Sequence, residues 1–163
     1  MILIALGANL PSPVGEPTLT LPAALKRLGQ HGVNVLAVSK FYATPAWPDP
    51  SDPPFVNAVA HVETALPPDG LLAALHDIEM AFGRRRSERN APRTLDLDLL
   101  DYDGRIETGP PELPHPRMAE RGFVLIPLRE VAPTWRHPIT GKDVQSLIAD
   151  LSDGQRNVRE LAR

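Results

Sequence analysis

The chain has 163 residues, 42% hydrophobic and 23% charged, which suits one ordinary soluble globular domain with a real core. Its net charge of −3 excludes a global basic field for nucleic acid, and it lacks the ~20-residue apolar run that a bilayer span needs. It has no cysteine and therefore no disulfide; with no basic region ahead of a short apolar start, the expected location is the cytoplasm.

Residues 2–6 (Ile-Leu-Ile-Ala-Leu) form an apolar run ending at Gly7 and read as a buried strand. Pro22 predicts a helix start at its own first turn. Leu21, Ala24, Leu25 and Leu28 are the apolar stripe of that helix, and Gly29 or Gly32 its end. Residues 34–42, "NVLAVSKFY", have the β-branched and aromatic content of one strand. Residues 55–63 alternate, with Val56, Ala58, Ala60 and Val62 on one face and Phe55, Asn57, Val59 and His61 on the other. Asp69 is the expected N-cap of a second helix, with Leu72, Leu75, Ile78 and Phe82 facing inward and Gly83 just past its end. A strand over 95–102 leads to Asp103-Gly104, a hairpin signal that predicts 105–108 pairing back.

This β-α-β-β-α-β order predicts an α+β fold of ferredoxin-like type, an antiparallel sheet with two helices packed on one face, plus a hairpin and a C-terminal extension. In that extension "RMAERGFVLIPLREVAP" predicts a short helical turn and then an apolar segment, and Asp143 caps a last short helix through Leu151. The proline clusters "TPAWPDPSDPP" and "TGPPELPHP" predict two long, stiff loops. No repeat or composition break divides residues 1–163, so a single domain is expected.

The chemistry concentrates in "GRRRSERNAPRTLDLDLL", where a loop with five arginines (Arg84, Arg85, Arg86, Arg89 and Arg93) runs straight into a strand carrying Asp96 and Asp98. Arginine outnumbers lysine 14 to 3, which favours planar, bidentate recognition of phosphate. On a strand the two aspartates share one face, ~7 Å apart, while Leu95, Leu97 and Leu99 face the core. Such carboxylates can hold one hard cation or each hold one of a bridged pair, and with no cysteine the donor set favours Mg²⁺. A bare D-x-D also fits a solvated edge strand, and an arginine run also fits a solvated surface. No P-loop signature and no G-x-S-x-G motif occurs, and the five histidines lack zinc spacing. His115 differs from the other four in lying between prolines just ahead of Arg117 and Arg121.

These residues resemble those of the 6-hydroxymethyl-7,8-dihydropterin pyrophosphokinase family of folate biosynthesis. "PRTLDLDLL" (92–100) and "PHPRMAERGFVLIPLREVAP" (114–133) carry the resemblance, with "ALGANL" (5–10), "SKFYATPAW" (39–47), "FVNAV" (55–59) and "IEMAFGRRRSER" (78–89) in matching order. The resemblance implies transfer of pyrophosphate from ATP to the pterin hydroxymethyl group, releasing AMP. It implies that Asp96 and Asp98 bind two Mg²⁺ ions, and that Arg84 and Arg93 contact the transferred phosphates. It places Glu79, Arg86, Leu99, His115 and Arg121 at the ATP site. It places Thr44, Pro45, Phe55, Asn57 and Phe123 at the pterin site, with the two phenylalanines as ring-stacking walls. The implied partners are ATP and the pterin alone, with no nucleic acid, no membrane and a monomeric chain. Ala8, His76, Asn90, Ala91 and Pro116 depart from the family's usual residues.

The implied site agrees with the residue chemistry. Carboxylates fix the metal, guanidiniums clamp the remaining phosphate charge, and catalysis is largely positioning plus charge stabilisation. The arginine loop, 84–93, is expected to be mobile until ATP binds, and loop and strand are expected to face a shared ligand instead of neutralising each other. An RNA-binding ferredoxin-like module is disfavoured because Asp96 and Asp98 would repel a phosphate backbone. A two-metal hydrolase would need further ligands, and only Glu79 lies nearby.

Overall fold

The structure is a computed structural model that describes residues 1–46, 49–84 and 93–161. In chain order the elements are β1 (Ile2–Ala8), α1 (Pro17–Gln30), β2 (Val33–Val38), β3 (Tyr42–Thr44), β4 (Phe55–Thr64), α2 (Pro68–Ala81), β5 (Asp96–Tyr102), β6 (Glu107–Thr108), β7 (Glu112–Leu113), α3 (Gly122–Val131), α4 (Val144–Ala149) and β8 (Arg159–Glu160). Single 3₁₀ turns cover Met118–Glu120 and Asp153–Arg156. Among the described residues no helix is long and apolar enough to cross a membrane.

β1 is buried along its whole length and sits at the centre of the sheet, antiparallel to β4 on one side and β5 on the other. The long β4 also pairs with β2 at one end and β3 at the other. The strand order β5-β1-β4-β2, with α1 and α2 as the crossovers, is the ferredoxin-like arrangement expected from the sequence.

The alternation read along residues 55–63 decides what lies on each face. Val56, Ala58, Ala60 and Val62 join Ile4, Leu6, Leu97 and Leu99 under α1 and α2. Val59 joins Leu3, Ala5 and Leu100 under α3 and α4. The sheet is therefore covered on both faces, where two helices on one face were expected. Each fully buried Leu or Ile in these two layers contributes ~1.5–3 kcal/mol.

Several boundaries differ from expectation for local reasons. α1 starts a turn earlier than Pro22, at Pro17, because the buried Thr20 hydroxyl bonds Ser12 and anchors that turn. Pro22 lies inside the helix with its ring exposed. α2 starts at Pro68, with Pro67 as N-cap, so Asp69 lies in the first turn instead of capping it. Residues 34–42 are not one unbroken strand. The Ser39 hydroxyl accepts the Val59 N–H at 3.0 Å, and the ladder along β4 is interrupted there between β2 and β3. Asp103 and Gly104 form the positive-φ turn, but residues 105–108 do not pair back on β5; β6 pairs with β7. The apolar segment after Arg121 is α3, helical despite Pro127. Asp143 caps α4 as expected, its carboxylate accepting the Ser146 N–H at 2.7 Å.

Candidate active site

Two cavities meet at Asp96 and Asp98. The larger, about 440 Å³, is lined from β1 by Gly7, from β4 by Phe55 and Asn57, from the start of α3 by Phe123, and by Pro45, Arg93 and Arg121. The smaller, about 260 Å³, is lined from α2 by His76 and Glu79, and by Arg84, Leu99, Glu112 and His115. Asp96 and Asp98 line both. The strand alternation accomplishes this, turning Leu95, Leu97 and Leu99 into the core beneath α2 and leaving both carboxylates half-exposed on the far side.

The charges are unevenly matched. Asp96 accepts from Arg84 Nη1 at 2.7 Å and from Arg93 Nη1 at 2.9 Å. Arg84 also pairs with Glu79, which is 1% exposed and takes the Leu97 N–H at 2.8 Å. Burial opposes the Arg84 charge, but Asp96 and Glu79 outweigh it and raise its pKa. Among the described residues the ion-pair partner of Asp98 is Arg121, at 4.0 Å. Burial, and then the neighbouring Asp96 carboxylate, push the Asp98 pKa up to about 7.

His115 is anchored by its N–H to the Leu100 carbonyl, 2.8 Å away on β5. Burial, then Arg121, lowers its pKa to about 4, so the ring is neutral at physiological pH. Its Nδ1 lies 3.2 Å from the Arg117 backbone N–H and accepts it, which leaves Nε2 protonated as a donor. Burial lowers the Arg121 pKa too; its guanidinium lies over the Phe123 ring, 5.5 Å from the centroid.

The "ALGANL" stretch supports the site from below. A Cβ on Gly7 would lie 2.9 Å from Asn57 Oδ1, so only glycine lets that amide approach. Asn57 Nδ2 in turn donates to Thr44 Oγ1 at 3.0 Å. Asn9 is 3% exposed and joins two loops: its Oδ1 accepts the Arg93 N–H at 2.7 Å and its Nδ2 donates to the Pro53 carbonyl at 3.1 Å.

The structure thus brings together Arg84, Arg93, Asp96, Asp98, Glu79, Leu99, His115, Arg121, Pro45, Phe55, Asn57 and Phe123, with Thr44 one hydrogen bond behind. Arg86 and most of the arginine loop, with its expected mobility, lie outside the described residues. One expectation is corrected in part: Arg84 and Arg93 compensate the strand at Asp96, with which both pair, and not at Asp98. Asn9, Arg117, Glu120, Ser152 and Gln155 were not anticipated as parts of the site. Asn9 stands inside a motif already singled out, whereas no local signal marks Ser152 or Gln155. A third aspartate, Asp101, lies apart from the site. A bulge in β5 turns it beneath α3, where it accepts the Trp135 indole N–H at 2.8 Å.

Comparison with known proteins follows the same residues. The family model for 7,8-dihydro-6-hydroxymethylpterin-pyrophosphokinase (HPPK) matches residues 3–133. A 2-amino-4-hydroxy-6-hydroxymethyldihydropteridine pyrophosphokinase from Synechocystis sp. is 39% identical over 147 residues, covering 89% of this chain and 73% of that one. Its counterpart from Methylorubrum extorquens is 38% identical over 150 residues, 91% of each chain. Among solved structures, an HPPK-DHPS in complex with substrates has a TM-score of 0.69 at 11% identity, covering 99% of this chain and 46% of that one. Wild-type Plasmodium falciparum HPPK-DHPS with SDX-DHP has a TM-score of 0.66 at 13% identity, covering 91% and 43%. This chain therefore spans less than half the length of the solved chains whose fold it shares. By its sequence match across the sheet, both cavities and α3, the chain belongs to the 7,8-dihydro-6-hydroxymethylpterin-pyrophosphokinase family.

Proposed function

We propose that the chain transfers pyrophosphate from ATP to 6-hydroxymethyl-7,8-dihydropterin, giving the pterin diphosphate and AMP. One observation carries this reading: two cavities of different character share a single wall, and that wall is Asp96 and Asp98. The larger, with Phe55, Phe123 and Asn57, suits a flat heterocycle with polar edges. The smaller, with Arg84 and His115, suits a nucleotide whose phosphates reach the shared wall. In the reaction the hydroxymethyl oxygen bonds to the β-phosphorus and the bond from that phosphorus to the α,β-bridging oxygen breaks. AMP leaves with the bridging oxygen, and the hydroxyl proton is released.

Two hard carboxylates on one strand face, of which Asp98 is poorly compensated, fit a divalent cation. Asp96 and Asp98 would hold two Mg²⁺ ions, and the metal would supply neutralisation of phosphate charge. The chain's own groups do the rest. Arg84 and Arg93 clamp phosphate oxygens, neutral His115 donates from Nε2, and Arg121 stays over Phe123 at the junction. Glu79 holds Arg84 and the Leu97 backbone beneath them. Leu99 gives the nucleotide cavity an apolar wall, and Arg86 is assigned to the phosphates by resemblance alone.

Incubation with ATP, Mg²⁺ and the reduced pterin, followed by identification of both products, tests the reading. AMP and pterin diphosphate are expected in equal amounts. Formation of ADP, or of no pterin diphosphate, refutes it.

A further inference from the structure

The start of α3 carries Arg121 and Phe123, one on each side of Gly122. A helix leaves its first backbone N–H groups without intrahelical partners and ordinarily caps them locally. Arg121, at the N-cap, makes no side-chain cap. The Gly122 N–H is instead taken by Gln155 Oε1 at 3.2 Å, from 33 residues downstream. The approach is so close that a Cβ on Gly122 would lie 1.7 Å from the Gln155 carbonyl oxygen.

The segment that delivers Gln155 is held at three other points. Arg156 donates to the Ala149 and Leu151 carbonyls at the end of α4, at 2.6 and 3.2 Å. β8 adds to the edge of β3, and the Leu161 N–H reaches the Phe41 carbonyl at 2.9 Å. Gln155 and Ser152 both line the larger cavity. The segment itself, from Ser152 to Leu161, lies beyond residue 133, where the match to the family model ends.

We propose that Gln155 is a positioning residue for the pterin site. It replaces the missing local cap of α3 and so sets where Phe123 and Arg121 stand at the larger cavity. This rests on the reaction proposed above for that cavity, but not on its products. A polar contact that only covered the end of the sheet would change stability alone. A contact that orients one wall of the cavity changes affinity for whatever stacks there.

The test is Gln155→Leu, which keeps the bulk and loses the acceptor, beside Gln155→Glu, which keeps an acceptor oxygen. The wild type and both variants are compared for pterin KM, ATP KM, kcat and pterin Kd from ligand fluorescence. Expected for Gln155→Leu is a rise of about tenfold in pterin KM and Kd, as for the loss of one oriented contact, with ATP KM and kcat within about twofold. Gln155→Glu recovers most of that affinity. Gly122→Ala, which drives the Gln155 carbonyl away, shifts pterin Kd in the same direction. An unchanged pterin Kd in Gln155→Leu overturns the inference, and so does a parallel rise in ATP KM. If the wild type binds the pterin without forming its diphosphate, the proposed reaction fails while the Kd comparison still judges Gln155.

Discussion

Asn9 links two loops through one buried amide, so its replacement separates stability from catalysis. Asn9→Ala removes the acceptor for the Arg93 N–H and the donor to the Pro53 carbonyl. Each such bond contributes ~0.5–1.5 kcal/mol net, so the fold loses roughly 1–3 kcal/mol, or about 2–12 °C in Tm at ~2–4 °C per kcal/mol for a domain of this size. The Arg93 carbonyl keeps its bonds from the Asn9 and Leu10 N–H groups, at 3.0 and 3.1 Å, so the segment loosens without detaching. A guanidinium displaced by ~1 Å from a developing phosphate charge lowers kcat by up to ~100-fold. Asn9→Asp keeps an acceptor for the Arg93 N–H but sets an oxygen against the Pro53 carbonyl. It should retain much more of kcat while losing comparable stability. Thermal melts and steady-state kinetics on the three proteins decide the matter. If Asn9→Ala melts lower yet keeps kcat within twofold, Asn9 does not position Arg93.

Asp98→Ala and Asp96→Ala should each abolish turnover and Mg²⁺-dependent ATP binding, with far-UV circular dichroism unchanged; near-normal turnover in either would remove that carboxylate from the metal site. Asp101→Leu leaves the Trp135 and Gly104 N–H groups without their acceptor and should cost about 2–3 kcal/mol in urea unfolding, whereas Asp101→Asn, which keeps an acceptor, should lose less. His115 has a pKa of about 4 when folded against 6.5 ordinarily, so between these values the unfolded chain binds more protons. Its contribution is full above pH 6.5 and is lost as pH falls toward 4, with a slope of at most ~1.4 kcal/mol per pH unit. His115→Asn should flatten the stability profile over that interval, and an unchanged profile would show that the buried imidazole is not its source.

How far the sequence reaches depends on how local each signal is. The period-two pattern of residues 55–63 identified both faces of β4, and the "LDLDLL" alternation identified the wall between the cavities, because strand side chains alternate by geometry alone. Gly83 and Asp143 were legible for a similar reason: a positive-φ residue after a helix and a carboxylate before one act on their own neighbours. Pro22 misled because a proline on an exposed helix face resembles a helix start when the true anchor is Thr20 bonding back to Ser12. Ser39 misled because a serine inside an apolar run carries no sign of the strand it will bond. The pairing of residues 105–108 and the place of Gln155 are set by partners elsewhere in the chain, and no local pattern encodes them. The pterin and the direction of transfer came from resemblance, since a cavity with two phenylalanines and an asparagine fits many flat ligands.

Arginine segment and acidic strand neither cancel completely nor stand apart. Arg84 and Arg93 rest on Asp96, while among the described residues Asp98 pairs with one guanidinium, that of Arg121 at 4.0 Å, and burial and then Asp96 raise its pKa to about 7. On the proposed reading this division makes binding an exchange. Removing a buried ion from its partner is strongly unfavourable, so arginines waiting unpaired for phosphate would destabilise the fold. Resting on Asp96, they would stay compensated on either partner, carboxylate or phosphate, and the carboxylate they released would be available to hold a cation. Asp98 has less to give up, and there a cation would offset the repulsion between the two carboxylates. On this reading Asp96 serves Arg84 and Arg93 as counterion until phosphate takes its place, and Glu79, fixed beneath Arg84, would limit how far that guanidinium travels.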